Sequence, residues 1–169
     1  DLSIKFSRLI TKKILSNEII KSFSLPKKVH GTIFSKSRIG MKYGRHIDNA
    51  YMSSGRADLS FTVFLNCKKK YEGGALAIEG LNSEEKFKLD AGEIIIYPST
   101  YLHSVEKVID GERLVFIGWI ESYVKSIEER EYLFDLDAAA RSLLAKYGRS
   151  DEVDLIFKSY SNLLKRLGS

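Results

Sequence analysis

Three residues of this chain have the side-chain types and spacing of a metal site. His46 and Asp48 stand two positions apart in an extended-looking segment, and residues two apart in extended backbone point to the same side. Their imidazole and carboxylate can therefore reach one point. His103, which follows a Pro-Ser-Thr turn after a predicted strand, is the strongest candidate for a third ligand. Two histidines and one carboxylate on one face of an ion leave other positions open, as in non-haem Fe(II) oxygenases.

Arg113 could provide an anion receptor beside such a metal. It lies ten positions after His103, at the start of a predicted strand. A guanidinium group binds a carboxylate through two parallel hydrogen bonds, and a buried arginine without an anion is costly. A zinc site is disfavoured because the chain has one cysteine, Cys67, and no H-E-x-x-H motif. The remaining histidine, His30, has no assigned role and is expected on the surface or in a loop.

The composition is that of an ordinary globular domain. The chain has 169 residues, of which 44% are hydrophobic and 29% charged, enough for one domain with its own core. One cysteine excludes an internal disulfide and suits a reducing compartment. The sequence contains neither an apolar stretch of membrane-spanning length nor a secretory signal at its start. These features predict a cytoplasmic protein without membrane association.

Basic residues are concentrated near the start of the chain. Residues 1–45 contain 11 Lys or Arg and 2 Asp or Glu, within an overall net charge of +5. A basic arm can bind nucleic acid or an acidic partner. However, Lys12 and Lys13 fall among apolar positions, as on the solvated face of a helix, and no nucleic-acid-binding motif accompanies them. The pattern argues against nucleic acid as a partner.

The periodicity of apolar residues predicts helices at both ends and strands between them. Residues 9–23 predict an amphipathic helix with a break near Ser16, ended by Pro26. Five strands are predicted, at residues 59–65, 73–78, 87–89, 93–97 and 113–120. Short strands separated by Gly or Asp turns are typical of an antiparallel sandwich or barrel.

The last part of the chain predicts two further helices. One begins at Asp135 or Asp137 and stops at Gly148, and the next begins at Ser150. The second carries an apolar stripe formed by Val153, Ile156, Phe157, Tyr160, Leu164 and Leu167. Such a stripe predicts core packing against the sheet, and part of it could form a homodimer interface.

Together these residues resemble a known family. His46-x-Asp48, His103 and Arg113, with Gly73-Gly74 between them, look like the Fe(II)/2-oxoglutarate-dependent dioxygenases of the prolyl 4-hydroxylase type, and most closely the bacterial PKHD-type hydroxylases. Other matching stretches, from the core to the helical tail, are Arg56-Ala57-Asp58-Leu59-Ser60, Tyr71-Glu72-Gly73-Gly74, Ile96-Tyr97-Pro98-Ser99, Trp119-Ile120-Glu121-Ser122 and Leu133-Phe134-Asp135-Leu136-Asp137.

The resemblance implies a mostly β fold with flanking helices. Its core would be a double-stranded β-helix, or jelly roll, over residues 31–121. An N-terminal helical segment, residues 1–30, would pack on this core, and residues 122–169 would form a C-terminal helical extension. Relatives also carry a further N-terminal stretch, so this chain is expected to be a truncated relative or a compact variant with an open site.

The resemblance also implies an activity. His46, Asp48 and His103 would bind Fe(II), and Arg113 would bind the C5 carboxylate of 2-oxoglutarate. The enzyme would use O₂ to hydroxylate a peptidyl (prolyl-like) or small amino-acid-like substrate, releasing succinate and CO₂. L-Ascorbate would keep the iron ferrous.

The sequence departs from the family at the tyrosines that help to bind 2-oxoglutarate. Ser37 and Lys36 occupy the usual position before the first histidine, and Phe64 stands where some prolyl hydroxylases place a second tyrosine. Tyr43 could supply this hydroxyl, or it could simply pack. Two alternatives remain: a catalytically silent jelly-roll binding module for an acidic partner, and a cupin-type metal enzyme. Asp48 fits the His-x-His pattern of cupins poorly.

Overall fold

The computed structural model describes residues 2–80 and 83–169. Contacts group the chain into two compact units. One unit comprises Asp1–Arg8 and Lys28–Glu121 and contains the two main sheets, and the other comprises Leu9–Lys27 and Ser122–Ser169 and is mainly helical. The predicted boundaries at residues 30 and 121 stay a prediction.

Two sheets of the first unit contain nine of its strands. The larger has the order β1 (Pro26–Arg38), β11 (Val108–Ser122), β5 (Leu59–Phe64), β9 (Ile94–Pro98), and its fifth strand, β6 (Tyr71–Gly73), also pairs with β11. The smaller has the order β2 (Tyr43–His46), β10 (His103–Val105), β7 (Leu76–Glu79), β8 (Glu84–Phe87). Outside both sheets, β3 (Tyr51–Met52) pairs with β4 (Gly55–Arg56).

The order of these strands defines a jelly roll. Apart from the β7–β8 hairpin in the smaller sheet, the main strands alternate between the two sheets. The first and last strands are therefore neighbours in the larger sheet, and the second and second-to-last are neighbours in the smaller. The pairings of β11 with β5, of β5 with β9 and throughout the smaller sheet are antiparallel. This is the double-stranded β-helix. The predicted fold class, with its flanking helices, is confirmed.

The strands made mostly of apolar residues match the sequence prediction better than those that carry charged residues. Strand β5 is buried along its whole length, and β5 and β9 lie within one residue of their predicted bounds. Strand β1, at the edge of the larger sheet, was not predicted. The strand predicted at residues 87–89 is wrong, because the observed strand β8 spans Glu84–Phe87 and shares only Phe87 with the predicted range. Exposed edge strands carry charged residues, and these hide the two-residue apolar repeat.

The predicted N-terminal helix is divided as expected. Helix α1 (Leu2–Ser16) is followed by α2 (Glu18–Ser24), and the side chain of Asn17 accepts a hydrogen bond from the Ile20 amide at 3.0 Å. This N-cap starts the second helix. Helix α1 begins at Leu2 rather than at residue 9.

The C-terminal helices are α3 (Ile127–Tyr147) and α4 (Asp151–Leu167). Ser150 caps α4 as predicted, accepting a hydrogen bond from the Val153 amide, and Gly148 ends α3. The predicted start of α3 at Asp135 or Asp137 is wrong. The cap is Ser126, whose hydroxyl accepts a hydrogen bond from the Glu129 amide at 3.1 Å.

The apolar stripe of α4 packs within the helical unit. A buried cluster of Leu25, Val124 and Leu133 receives partly buried side chains from the last turns of this helix, namely Tyr160, Leu163, Leu164 and Leu167. Among the described helices, none is both long and apolar enough to cross a membrane.

Candidate metal centre

Two of the predicted ligands meet because their strands are neighbours. In the antiparallel pair of β2 and β10, the Cα atoms of His46 and His103 are directly opposite. Directly opposed residues in such a pair place their side chains together on one face of the sheet. The two imidazole rings lie 4.2 Å apart between centroids.

Asp48, two residues beyond the end of β2, completes the group. Its Oδ1 lies 4.0 Å from Nε2 of His46, and its Oδ2 lies 3.8 Å from Nε2 of His103. One ligand atom from each of the three residues lies within 4.8 Å of the others. The structure thus brings together the three residues that were predicted as metal ligands.

Hydrogen bonds orient both imidazoles for metal binding. Nδ1 of His46 lies 2.8 Å from the Gly44 carbonyl oxygen, and Nδ1 of His103 lies 3.0 Å from that of Tyr101. A carbonyl oxygen only accepts, so each Nδ1 donates, and Nε2 of each ring is the nitrogen that can bind a metal. Two imidazole nitrogens and one carboxylate are a donor set that suits Fe(II).

The three residues line a cavity of about 420 Å³ in the first unit, which contains the two main sheets. The cavity wall also contains Arg113, Tyr97 and Trp119. The ring of Tyr97 contacts that of His103 at 5.2 Å between centroids. Burial, with the nearby Asp48 charge, raises the pKa of Tyr97, so its hydroxyl stays neutral.

Arg113 is a buried cation that forms no salt bridge with any of the described residues. Its side chain is 3% exposed, and its Nε has no hydrogen-bond partner among the described residues. Burial lowers the pKa of Arg113, and the nearby hydroxyls of Tyr71 and Tyr97 oppose part of this shift. An uncompensated guanidinium in a cavity wall favours a ligand with a carboxylate.

Tyr71 lies beside Arg113, and the sequence analysis assigned it no role. It is 4% exposed, and its hydroxyl makes no hydrogen bond of good geometry with any residue in the described ranges. Burial raises the pKa of Tyr71, and the Arg113 charge opposes this rise. The ammonium group of Lys88 lies 4.4 Å from the centre of the Tyr71 ring. Of these groups Arg113 lines the cavity, and the Tyr71 hydroxyl beside it is a second donor that suits an anion.

The Gly73-Gly74 pair explains how Tyr71 and Arg113 approach each other. Gly74 has a φ of +63°, and a Cβ there would lie 3.2 Å from Cδ of Arg113 and 3.4 Å from the Tyr71 ring. At Gly73, with a φ of +69°, a Cβ would lie 2.1 Å from the Lys107 carbonyl oxygen. Both positions therefore require glycine. In the sequence, the glycine pair and the family-matching stretch Tyr71-Glu72-Gly73-Gly74 mark this region, but neither indicates the contact with Arg113.

Tyr43 has a different environment. Its side chain is 61% exposed, and its ring packs edge-on against His46 at 4.3 Å between centroids. It lines the cavity near the metal ligands. Its predicted role in 2-oxoglutarate binding stays a prediction.

His30 is buried on β1, so the expected surface position is wrong. Its Nε2 donates to the Arg56 carbonyl oxygen at 2.9 Å, and Nδ1 lies 2.8 Å from the Ser54 hydroxyl, which donates to it in the neutral ring. These bonds join β1 to the β3–β4 hairpin and occupy both ring nitrogens. His30 therefore supports the hairpin and does not act as a ligand.

Sequence comparisons show which family this chain belongs to. Residues 32–121 match the family model of the 2OG-Fe(II) oxygenase superfamily. Two PKHD-type hydroxylases of Prochlorococcus marinus are close relatives. The protein of strain MIT 9215 is 76% identical to this chain, over 99% of this chain and 76% of the relative's own length. The protein of strain MIT 9515 is 72% identical, over 100% of this chain and 76% of the relative's own length. Among solved structures, a Pseudomonas putida prolyl-4-hydroxylase aligns with a TM-score of 0.49 at 24% identity, over 58% of this chain and 54% of that one.

The chain belongs to the 2OG-Fe(II) oxygenase superfamily and, within it, to the PKHD-type hydroxylases. It is a 2-oxoglutarate-dependent hydroxylase whose cofactor is Fe(II) and whose co-substrates are 2-oxoglutarate and O₂.

Proposed function

We propose that His46, Asp48 and His103 bind the Fe(II), and that the enzyme hydroxylates a peptidyl (prolyl-like) or small amino-acid-like substrate with release of succinate and CO₂. The observation that carries this proposal is the three-ligand group beside a buried, uncompensated Arg113 in one cavity. Bound iron would activate O₂ for a reaction in which one oxygen atom enters succinate and the other enters the substrate. L-Ascorbate would keep the iron ferrous between turnovers.

The residues present fit 2-oxoglutarate, because the cavity wall at Arg113 is cationic and complements a carboxylate. Arg113 offers guanidinium hydrogens to the C5 carboxylate, and the Tyr71 hydroxyl is a second donor beside it. Nε of Arg113 and the Tyr71 hydroxyl have no hydrogen-bond partner of good geometry among the described residues, so binding of an anion would satisfy them. Tyr43 remains the alternative source of this hydroxyl.

Trp119 supports a substrate with a hydrogen-bond acceptor. Its indole Nε1 is buried without a partner in the described part of the chain, and the side chain lines the cavity. An indole N–H can only donate, so it suits a peptide carbonyl or an amino-acid carboxylate. Apolar wall residues such as Val105, Val115 and Ile117 exclude water from the reacting groups.

The proposal is tested by 2-oxoglutarate turnover in the presence of Fe(II) and ascorbate. Succinate formation is expected in the natural chain and is expected to be abolished in Asp48→Ala and His103→Ala, because each variant removes a ligand. Asp110→Ala, which changes an exposed aspartate of β11, serves as the matched control and should retain activity. Circular dichroism should show that all the variants fold.

Undiminished turnover in both ligand variants would reject the metal assignment. A natural chain that binds neither Fe(II) nor 2-oxoglutarate would instead favour the silent binding module.

A further inference from the structure

Two buried serines form a hydrogen-bonded relay to the carboxylate of Asp48. The Ser60 hydroxyl, on β5, donates to Oδ2 of Asp48 at 2.5 Å. The Ser99 hydroxyl, just after β9, lies 2.8 Å from that of Ser60. Since Ser60 has one hydroxyl hydrogen and gives it to the carboxylate, Ser99 donates to Ser60. The two serines are 3% and 2% exposed.

The surrounding strands hold this relay in place. Across β5, Ser60 is directly opposite Trp119 on one side and Tyr97 on the other. The amide of Ser99 donates to the Asp58 carbonyl oxygen at 3.1 Å, which fixes the turn that follows β9. A hydroxyl that is buried among apolar and aromatic neighbours needs a fixed hydrogen-bond partner. Here the final acceptor is the carboxylate of Asp48.

The relay limits how Asp48 can bind a metal. A carboxylate that donates both oxygens occupies two coordination positions, whereas one that donates a single oxygen occupies one. A hydrogen bond to Oδ2 weakens that oxygen as a ligand and leaves Oδ1, which lies 4.0 Å from Nε2 of His46, free to bind. The number of positions left for 2-oxoglutarate and O₂ therefore depends on Ser60.

We infer that Ser60, oriented by Ser99, is a positioning residue that keeps Asp48 a one-oxygen ligand and so preserves the open coordination positions. This inference rests on the proposed assignment of Asp48 as a ligand. It assigns a role to two side chains that are not among the three candidate ligands.

The test uses Co(II) in place of Fe(II), because its visible absorption reports coordination without turnover. We expect Ser60→Ala to bind Co(II) about as tightly as the natural chain, while the dissociation constant of 2-oxoglutarate from the Co(II) protein rises about tenfold. Ser99→Ala should change this constant in the same direction but less. Ser60→Thr keeps the hydroxyl, so its dissociation constant for 2-oxoglutarate should match that of the natural chain.

Ser24→Ala is the matched control. Ser24 is a fully buried serine whose hydroxyl donates to the Ile20 carbonyl oxygen of the same helix, α2, at 2.6 Å. Its melting temperature can fall without any change in 2-oxoglutarate affinity. Unchanged 2-oxoglutarate affinity in Ser60→Ala, with only a lower melting temperature, would overturn the inference. Failure of the natural chain to bind Co(II) at all would overturn the proposed function as well.

Discussion

At the scale of single residues, backbone carbonyls determine which nitrogen of each histidine can bind a metal. Gly44 and Tyr101 each stand two residues before the histidine that they orient. The ligand types followed from the His-x-Asp pattern and from the position of His103. The choice of nitrogen did not, because it depends on the local course of the backbone.

Tyr71 was not predicted because its closeness to Arg113 is a product of strand pairing. In the antiparallel pair of β6 and β11, Tyr71 lies opposite Gly111, two residues before Arg113. Residues 42 positions apart in the sequence are thus neighbours. Without the register of these strands, spacing along the chain gives no sign of the contact.

The first residue-scale prediction concerns this hydroxyl. Tyr71→Phe should raise the 2-oxoglutarate dissociation constant about tenfold, the effect of losing one hydrogen bond to a charged group. It should not lower the stability of the free protein, since the hydroxyl has no partner among the described residues. Isothermal titration of the metal-loaded protein with 2-oxoglutarate measures the first effect.

Two tyrosine variants complete this experiment. Tyr132→Phe, at a side chain that is 65% exposed on α3, is the control and should bind normally. Tyr43→Phe tests the alternative hydroxyl. If Tyr43→Phe weakens binding and Tyr71→Phe does not, Tyr71 has been assigned wrongly.

At the scale of elements, the sequence predicted best where one face of a strand is apolar throughout or where a cap residue starts a helix. Strand β5 and the Ser150 cap of α4 are examples. Strand β1 was missed because its many polar and charged residues hide the two-residue apolar repeat. The start of α3 was missed because Asp135 and Asp137 also resemble caps, although Asp137 is buried and bonded to Ser22 at 2.6 Å.

The capping of α3 leads to a stability prediction. Ser126→Ala removes the acceptor for the Glu129 amide, and the loss of an N-cap costs about 1 kcal/mol. The free energy of unfolding, measured with urea, should fall by about that amount. Ser142→Ala replaces an exposed serine within the same helix and should be neutral or slightly stabilising. Equal effects in the two variants would argue against Ser126 as the cap.

At the scale of the whole molecule, the jelly roll brings the candidate ligands from separate parts of the chain to one cavity. His46 comes from the second strand of the two sheets and His103 from the second-to-last, which are neighbours only because of the strand order. Arg113 comes from the last strand, β11, in the other sheet. The central claim is that this arrangement binds iron-chelating 2-oxoglutarate with Arg113 on its distal carboxylate.

The most direct test is an anaerobic titration of the Fe(II)-loaded chain with 2-oxoglutarate, followed by the visible charge-transfer absorption of the chelate. Arg113→Met should weaken 2-oxoglutarate binding about a hundredfold, because a buried carboxylate loses its charged partner. 2-Oxobutanoate has no distal carboxylate, so it should bind weakly to the natural chain and equally weakly to Arg113→Met. Saturable absorption in the natural chain together with this pattern is the predicted result. Equal 2-oxoglutarate affinity in the natural chain and Arg113→Met would contradict the account.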